Sequence, residues 1–230
     1  MSLLEVSELQ KSYRLPNEAG SRLVVDVPRF TLDNREELAV RGASGSGKTT
    51  FLHLIAGILA ADSGRVLVDG EEMTALSEAA RDRLRARSIG YVFQTFQLLE
   101  GYTAFENVML AMRFGVGADA GRARELLSRV GLGDRLSSRP TQMSTGQQQR
   151  VAVARALANR PRLVLADEPT GNLDPSSSAA ALELLREVCA ECDAALLLVT
   201  HDRDVLARFE RVADFGELNR ALAEAGEAAS

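Results

Sequence analysis

Gly42-Ala43-Ser44-Gly45-Ser46-Gly47-Lys48-Thr49-Thr50 follows the pattern glycine, any four residues, glycine, lysine, hydroxyl residue. Residues spaced in this way can hold a polyphosphate. Glycines 42, 45 and 47 free the backbone to turn successive N–H groups inward, Lys48 supplies a point charge for β- and γ-phosphates, and the Thr49 hydroxyl can ligand Mg2+. Further along, an apolar run, Leu163-Val164-Leu165-Ala166, ends in Asp167 and Glu168. At the carboxyl end of a parallel strand, Asp167 suits a magnesium ion held through water and Glu168 suits an attacking water that must be polarised. A second apolar run, 195–200, ends at His201, whose ring can donate a hydrogen bond to a γ-phosphate. His53, the other histidine, reads as packing or surface.

Two more positions are ambiguous when read alone. Ser144 is a natural N-cap, so the helix after it offers a second positive end to an anion, yet an ordinary capped helix explains the segment better. Tyr13, at the end of the first strand, can stack on a flat base, although plain packing is the commoner role for such a ring.

The elements that must position these groups are legible from periodicity. Leu38-Ala39-Val40 reads as a buried strand before the glycine loop; Leu52, Ile55, Ala56 and Leu59 after it predict a helix passing through Gly57. Stretches 3–14 and 23–32, parted by a turn-rich segment at 16–21, predict an antiparallel start. Residues 64–70 and 89–93 read as strands with a charged helix at 77–87 between them, the second strand ending at Gln94. From there to about Pro161 the texture becomes helical, with helices at 106–114 and 120–130 and a flexible joint at Gly115-Val116-Gly117. The expected layout is one α/β domain over 1–230, with a core of 1–93 and 161–215 and an inserted helical subdomain at 94–160.

Composition narrows the partners. A net charge of −5 with Lys and Arg dispersed among acids gives no basic stripe for a nucleic-acid backbone. No apolar run approaches the roughly 18–20 residues that span a bilayer, and the start lacks a basic flank and a long apolar core, so a soluble, unexported chain is expected. Cys189 and Cys192 form a Cys-x-x-Cys without a second pair, a nearby His or a following Pro, which reads as two small apolar residues rather than a redox or zinc site.

Taken together and in order, the glycine loop, Gln94, Met143-Ser144-Thr145-Gly146-Gln147, residues 163–168, Asp174 and His201 resemble an ATP-binding cassette (ABC) ATPase over roughly residues 3–212. Phe93-Gln94-Thr95-Phe96-Gln97-Leu98-Leu99 and Asp167-Glu168-Pro169-Thr170-Gly171-Asn172-Leu173-Asp174 are similar to the lipoprotein-release and macrolide-export group. The resemblance implies a P-loop NTPase (RecA-like) core with an antiparallel β subdomain and an α-helical subdomain. It implies ATP and Mg2+ as ligands, with Tyr13 stacking on adenine, 42–50 holding the triphosphate, Thr49 and Gln94 on Mg2+ and Asp167 behind them. Glu168 would be the catalytic carboxylate and His201 the γ-phosphate sensor.

Ser144, Gly146, Gln147 and Asp174 would face the nucleotide of a second subunit, which implies a homodimer on ATP binding. A separate transmembrane permease, a place on the inner face of the cell membrane and a transport or extraction role are likewise implied. The competing role is a regulatory scaffold ATPase of the cell-division type. Departures from the family pattern are Thr145 in place of the first signature glycine, Met143 in place of leucine, Arg35 at a turn glycine, expected to reflect a different turn through Asn34, and an unusual final segment at 213–217. A β-branched Thr145 is expected to weaken closure or slow turnover.

Overall fold

The computed structural model describes residues 2–14 and 21–222, and no side chains at 175–176. Most of the turn-rich segment at 16–21 and the end of the tail therefore lie outside the described residues. In chain order the elements are β1 (Ser2–Arg14), β2 (Ser21–Asp33), β3 (Glu37–Arg41), α1 (Lys48–Ile55), β4 (Ser63–Val68), β5 (Glu71–Glu72), α2 (Glu78–Ser88), β6 (Ile89–Val92), α3 (Ala104–Phe114), α4 (Ala120–Arg129), α5 (Thr145–Ala156), β7 (Leu163–Asp167), α6 (Pro175–Glu191), β8 (Ala195–Thr200), α7 (Arg203–Leu206), β9 (Val212–Asp214) and α8 (Phe215–Leu218).

Two sheets result. An antiparallel one runs β2-β1-β4-β5, and a parallel one runs β6-β7-β8-β3-β9. Every residue of β7 and of β8 is buried, as continuous apolar runs require when both faces of a parallel sheet are covered. Register then fixes the site. Asp167 and Val40 both pair with Val199, and Ala166 pairs with Val92, so the chain leaves four strands at one level on the carboxyl edge. The glycine loop, Gln94, Glu168 and His201 all follow within two residues of that level or begin there.

Three apolar clusters support this edge. One joins the antiparallel sheet, α1 and one face of the parallel sheet; its centre is Phe51, whose ring lies 5.4 Å from Phe30 and 5.5 Å from Phe215. The second joins the other face to α5 and α6. A third belongs to the helical stretch alone, with Val108, Met112, Leu127 and Val151 fully buried. The Thr103 capping box starts α3, Glu106 closing it from the third position.

Several expectations need correction. The helix predicted to pass through Gly57 ends at Ile55: Gly57 takes a left-handed φ of 64° and its N–H donates to the Leu54 carbonyl at 3.1 Å. Leu59 keeps its apolar contact from the turn beyond, so the stripe outlasts the helix. Arg35 makes no different turn; it adopts the left-handed φ of 62° that a glycine would favour. The supposed flexible joint at 115–117 is tied down, because Asn159 accepts from the Val116 N–H and donates to the Ala86 and Ala111 carbonyls. The final segment splits into β9, parallel to β3, and the short α8. Cys189 is buried and Cys192 half-buried, both as free thiols, with burial pushing the Cys189 thiol up.

Candidate functional site

A glycine loop between a buried strand and a helix has one low-cost solution: its backbone curls so that the helix begins on left-handed glycines. Gly47 does this, with φ 98° as the N-cap of α1, and a Cβ there would lie 2.8 Å from the Val24 carbonyl. The loop thus backs directly onto β2. A cavity of about 240 Å3 opens in front of it, lined by Ser44, Gly45, Ser46, Gly47, Lys48, Thr49, Thr50, Val24, Gln94, Asp167, Glu168 and His201. Gly42 and Ala43 do not line it. Their carbonyls instead accept the Lys48 ammonium at 2.7 and 2.8 Å, which fixes a buried cation at the cavity. Burial holds that ammonium below its ordinary pKa, opposed by the charges of Glu168 and Asp167. A polyanion in this cavity would meet the Lys48 ammonium with a charge-assisted hydrogen bond.

Asp167, 4% exposed, sits at the end of β7 with burial raising its carboxyl pKa and the Thr49 hydroxyl opposing that. Its Oδ1 is buried without a hydrogen-bond partner. An orphan acceptor beside a hydroxyl and an amide side chain is an oxygen-rich set for a hard cation that keeps waters and takes its remaining oxygens from phosphate. Among the described residues no cluster of three or more His, Cys, Asp or Glu could form a cage for a metal by itself.

Glu168 takes a left-handed φ of 44° and turns its carboxylate toward β8. There the Thr200 hydroxyl donates to Oε2 at 2.7 Å, the His201 N–H donates to Oε1 at 3.1 Å, and His201 Nδ1 lies 2.7 Å from Oε1. A strained residue held by three groups is a built feature. Thr200 is fully buried, and its hydroxyl also accepts from the Asp202 N–H at 3.1 Å. Sequence reading overlooked it; the available signal was a hydroxyl closing an otherwise apolar strand just before His201. Replacing Thr200 by valine, which keeps the shape and loses the donor, is expected to lower ATP turnover about tenfold at unchanged nucleotide affinity. Serine at the same position should restore most of the rate. Steady-state kinetics beside equilibrium binding decides this, and equal rates for all three chains would remove Thr200 from the site.

Behind the Glu168–His201 pair a larger recess of about 700 Å3 opens, bounded by Leu173, Ser178 and Leu182 of the α6 end and by Asp202 and Arg208. The pair is the wall between the two spaces. His53 lies on α1 with its ring 5.7 Å from Tyr91 and 6.5 Å from Phe93, a packing role that burial reinforces by holding the imidazole pKa down.

Besides Gly42 and Ala43, five predicted residues do not line this cavity. Tyr13 is an exposed ring at the end of β1. Ser144 caps α5, accepting from the Gln147 N–H at 3.3 Å while Gln147 accepts from the Ser144 N–H at 3.0 Å. Gly146 follows in the first turn, and Asp174 accepts from the Ser177 N–H at 3.1 Å at the start of α6. Thr145 is exposed at the first helical position. Asn172 links the two regions by donating to the Gln94 carbonyl at 2.7 Å.

The family model described as "ABC transporter" matches residues 25–171. The chain is 42% identical to the lipoprotein-releasing system ATP-binding protein LolD of Shewanella oneidensis, covering 91% of each chain. Against LolD of Xanthomonas euvesicatoria the identity is 45% over 79% of this chain and 76% of the relative. Among solved structures, the dimeric ATP-binding cassette MJ0796 in a post-hydrolysis state bound to ADP and phosphate superposes with a TM-score of 0.84, at 33% identity over 95% of both chains.

Proposed function

Because the chain belongs to the ABC transporter family, as an ATP-binding and ATP-hydrolysing subunit, we propose that it powers release of lipoproteins from a membrane, acting as an ATP-bound homodimer beneath separate permease subunits. The observation that carries this is a division of labour. Residues 44–50, Gln94, Asp167, Glu168 and His201 line one cavity, while the exposed Ser144 end of α5, Gly146 and Asp174 do not. A second copy turned through a two-fold axis brings a capped, positive helix end to the far side of each triphosphate, which supplies the phosphate donors that one chain lacks. The dimeric state of the MJ0796 cassette supports the same arrangement. Residues 94–160 act as the helical subdomain of a single ATPase domain.

Within each site the loop N–H groups and Lys48 hold the β- and γ-phosphates, and Tyr13 stacks on the base. Thr49 and Gln94 hold Mg2+ with Asp167 behind them; the ion, when bound, neutralises charge on the phosphate oxygens. Glu168 accepts a proton from a water as its oxygen bonds to the γ-phosphorus and the bond to the bridging oxygen of ADP breaks. His201, already against Glu168, reports whether the γ-phosphate is present.

No helix among the described residues is long and apolar enough to cross a membrane. In this reading the permease is a separate chain, and the subunit works at the inner, cytoplasmic face of the cell membrane. A groove between α2, α3 and α5, bounded by Arg85, Tyr91 and Arg155, ends at Phe114, which is 71% exposed and suits an apolar anchor from such a partner. Two neighbouring observations support lipoprotein as cargo: the names of the LolD relatives and the length over which they match.

The test is purification of a tagged Glu168→Gln chain from detergent-solubilised membranes with ATP. A multi-span protein with a large external domain should co-purify in stoichiometric amount and be lost on adding Phe114→Glu. Recovery of a soluble homodimer alone would reject the membrane role.

A further inference from the structure

We infer that Asn219, the residue that ends α8, is a positioning residue for nucleotide binding: it sets the peptide plane that aims the Gly47 N–H at phosphate. This rests on the reading of residues 42–50 as the phosphate loop. Asn219 is fully buried and its side chain hydrogen-bonds to main-chain groups. Its Oδ1 accepts from the Asp26 N–H at 2.7 Å, and its Nδ2 donates to the carbonyls of Val24 at 2.9 Å and Ser46 at 3.3 Å.

The geometry of a trans peptide does the rest. With the Ser46 carbonyl drawn back toward Asn219, the N–H of Gly47 in the same plane points the opposite way, into the cavity. Val24 is held by the same amide, and its carbonyl is the atom that blocks a side chain at Gly47. Phe215 completes the floor. It precedes Asn219 by four residues, accepts the Asn219 N–H at 2.9 Å, and closes the space behind Gly42 and Gly47. Arg220 fastens the segment to β2 through the Asp26 carbonyl at 2.9 Å. An apolar residue at 219 would leave three main-chain groups buried without partners, and the loop would relax to find others.

Asn219→Ala is expected to raise the dissociation constant for MgADP and for a slowly hydrolysed ATP analogue about tenfold, with turnover at saturating ATP near the parental value. The control is Asn107→Ala, another buried amide bonded only to main chain, at Leu99, Tyr102 and Thr103 in the helical part. It should lower the melting temperature similarly and leave nucleotide affinity within twofold. Parental affinity in Asn219→Ala, or an equal loss in Asn107→Ala, overturns the inference. Lys48→Ala measured alongside separates the two levels, since parental affinity in that variant condemns the phosphate-loop reading itself. If Asn219→Ala does not fold, hydrogen exchange on the unaltered chain decides. MgADP should slow exchange in peptides spanning 215–222 together with those spanning 42–50, and protection confined to 42–50 overturns the proposal.

Discussion

Lys48→Ala should weaken ATP binding by on the order of 100-fold or more, because it removes the one charged donor that the phosphate cradle already holds in place. The ammonium is 6% exposed and fixed by the Gly42 and Ala43 carbonyls, so no side-chain ordering remains to oppose binding. Burial disfavours its charged form, opposed by the charges of Glu168 and Asp167. Alanine therefore relieves a desolvation penalty while it destroys the ligand site, and the melting temperature without nucleotide should change little. What should vanish is the rise in melting temperature produced by ATP, which scales with the logarithm of ligand concentration over dissociation constant. Titration with a fluorescent ATP analogue gives the affinity directly. A variant that binds within twofold of the parent would take the loop out of the mechanism.

Glu168→Gln should bind ATP like the parent and hydrolyse it roughly 100- to 10,000-fold more slowly, the range associated with loss of a general base. The substitution is nearly isosteric. The His201 N–H can still donate to an amide oxygen at the Oε1 position, and the Thr200 hydroxyl, which can accept as well as donate, can turn to accept from the amide nitrogen at the other, so the left-handed backbone at 168 and its hold on β8 have reason to survive. Only the capacity to accept a proton is lost. With hydrolysis blocked, the ATP-bound homodimer should accumulate, and size-exclusion chromatography with ATP should show a dimer for the variant where the parent returns to monomer. Hydrolysis at the parental rate would end the assignment of Glu168.

Much of the site was legible because it is written in consecutive residues. The glycine loop binds anions through the local backbone conformation of 42–50, and a strand ending in Asp167-Glu168 or in Thr200-His201 announces itself by an apolar run that stops at polar groups. The alternation of strands and helices gave the α/β class, and Ser144 marked one helix start, whereas the Thr103 cap was overlooked and α3 begins at Ala104 rather than at the expected 106. Local signals misled where the packing around them decided. Gly57 lies just past the end of α1 although the apolar stripe continues to Leu59, and the segment 115–117, read as a joint, is bonded at its Val116 N–H by Asn159, which follows α5.

The sequence alone thus determined a P-loop ATPase of the ABC family and marked the residues proposed as its phosphate, acid and histidine groups, since each signal depends on neighbours along the chain. Tertiary structure decided their mutual geometry. That Glu168 is clasped by Thr200 and His201 follows from β7 pairing with β8 in one register, and a shift of one residue would send those side chains to the opposite face. That Asn219 lies beneath Ser46 follows from a fold that brings positions 173 residues apart into hydrogen-bonding contact. Periodicity carries no record of such distances, because the free energy of these contacts comes from burial and partner satisfaction in the packed chain rather than from any preference of the residues themselves.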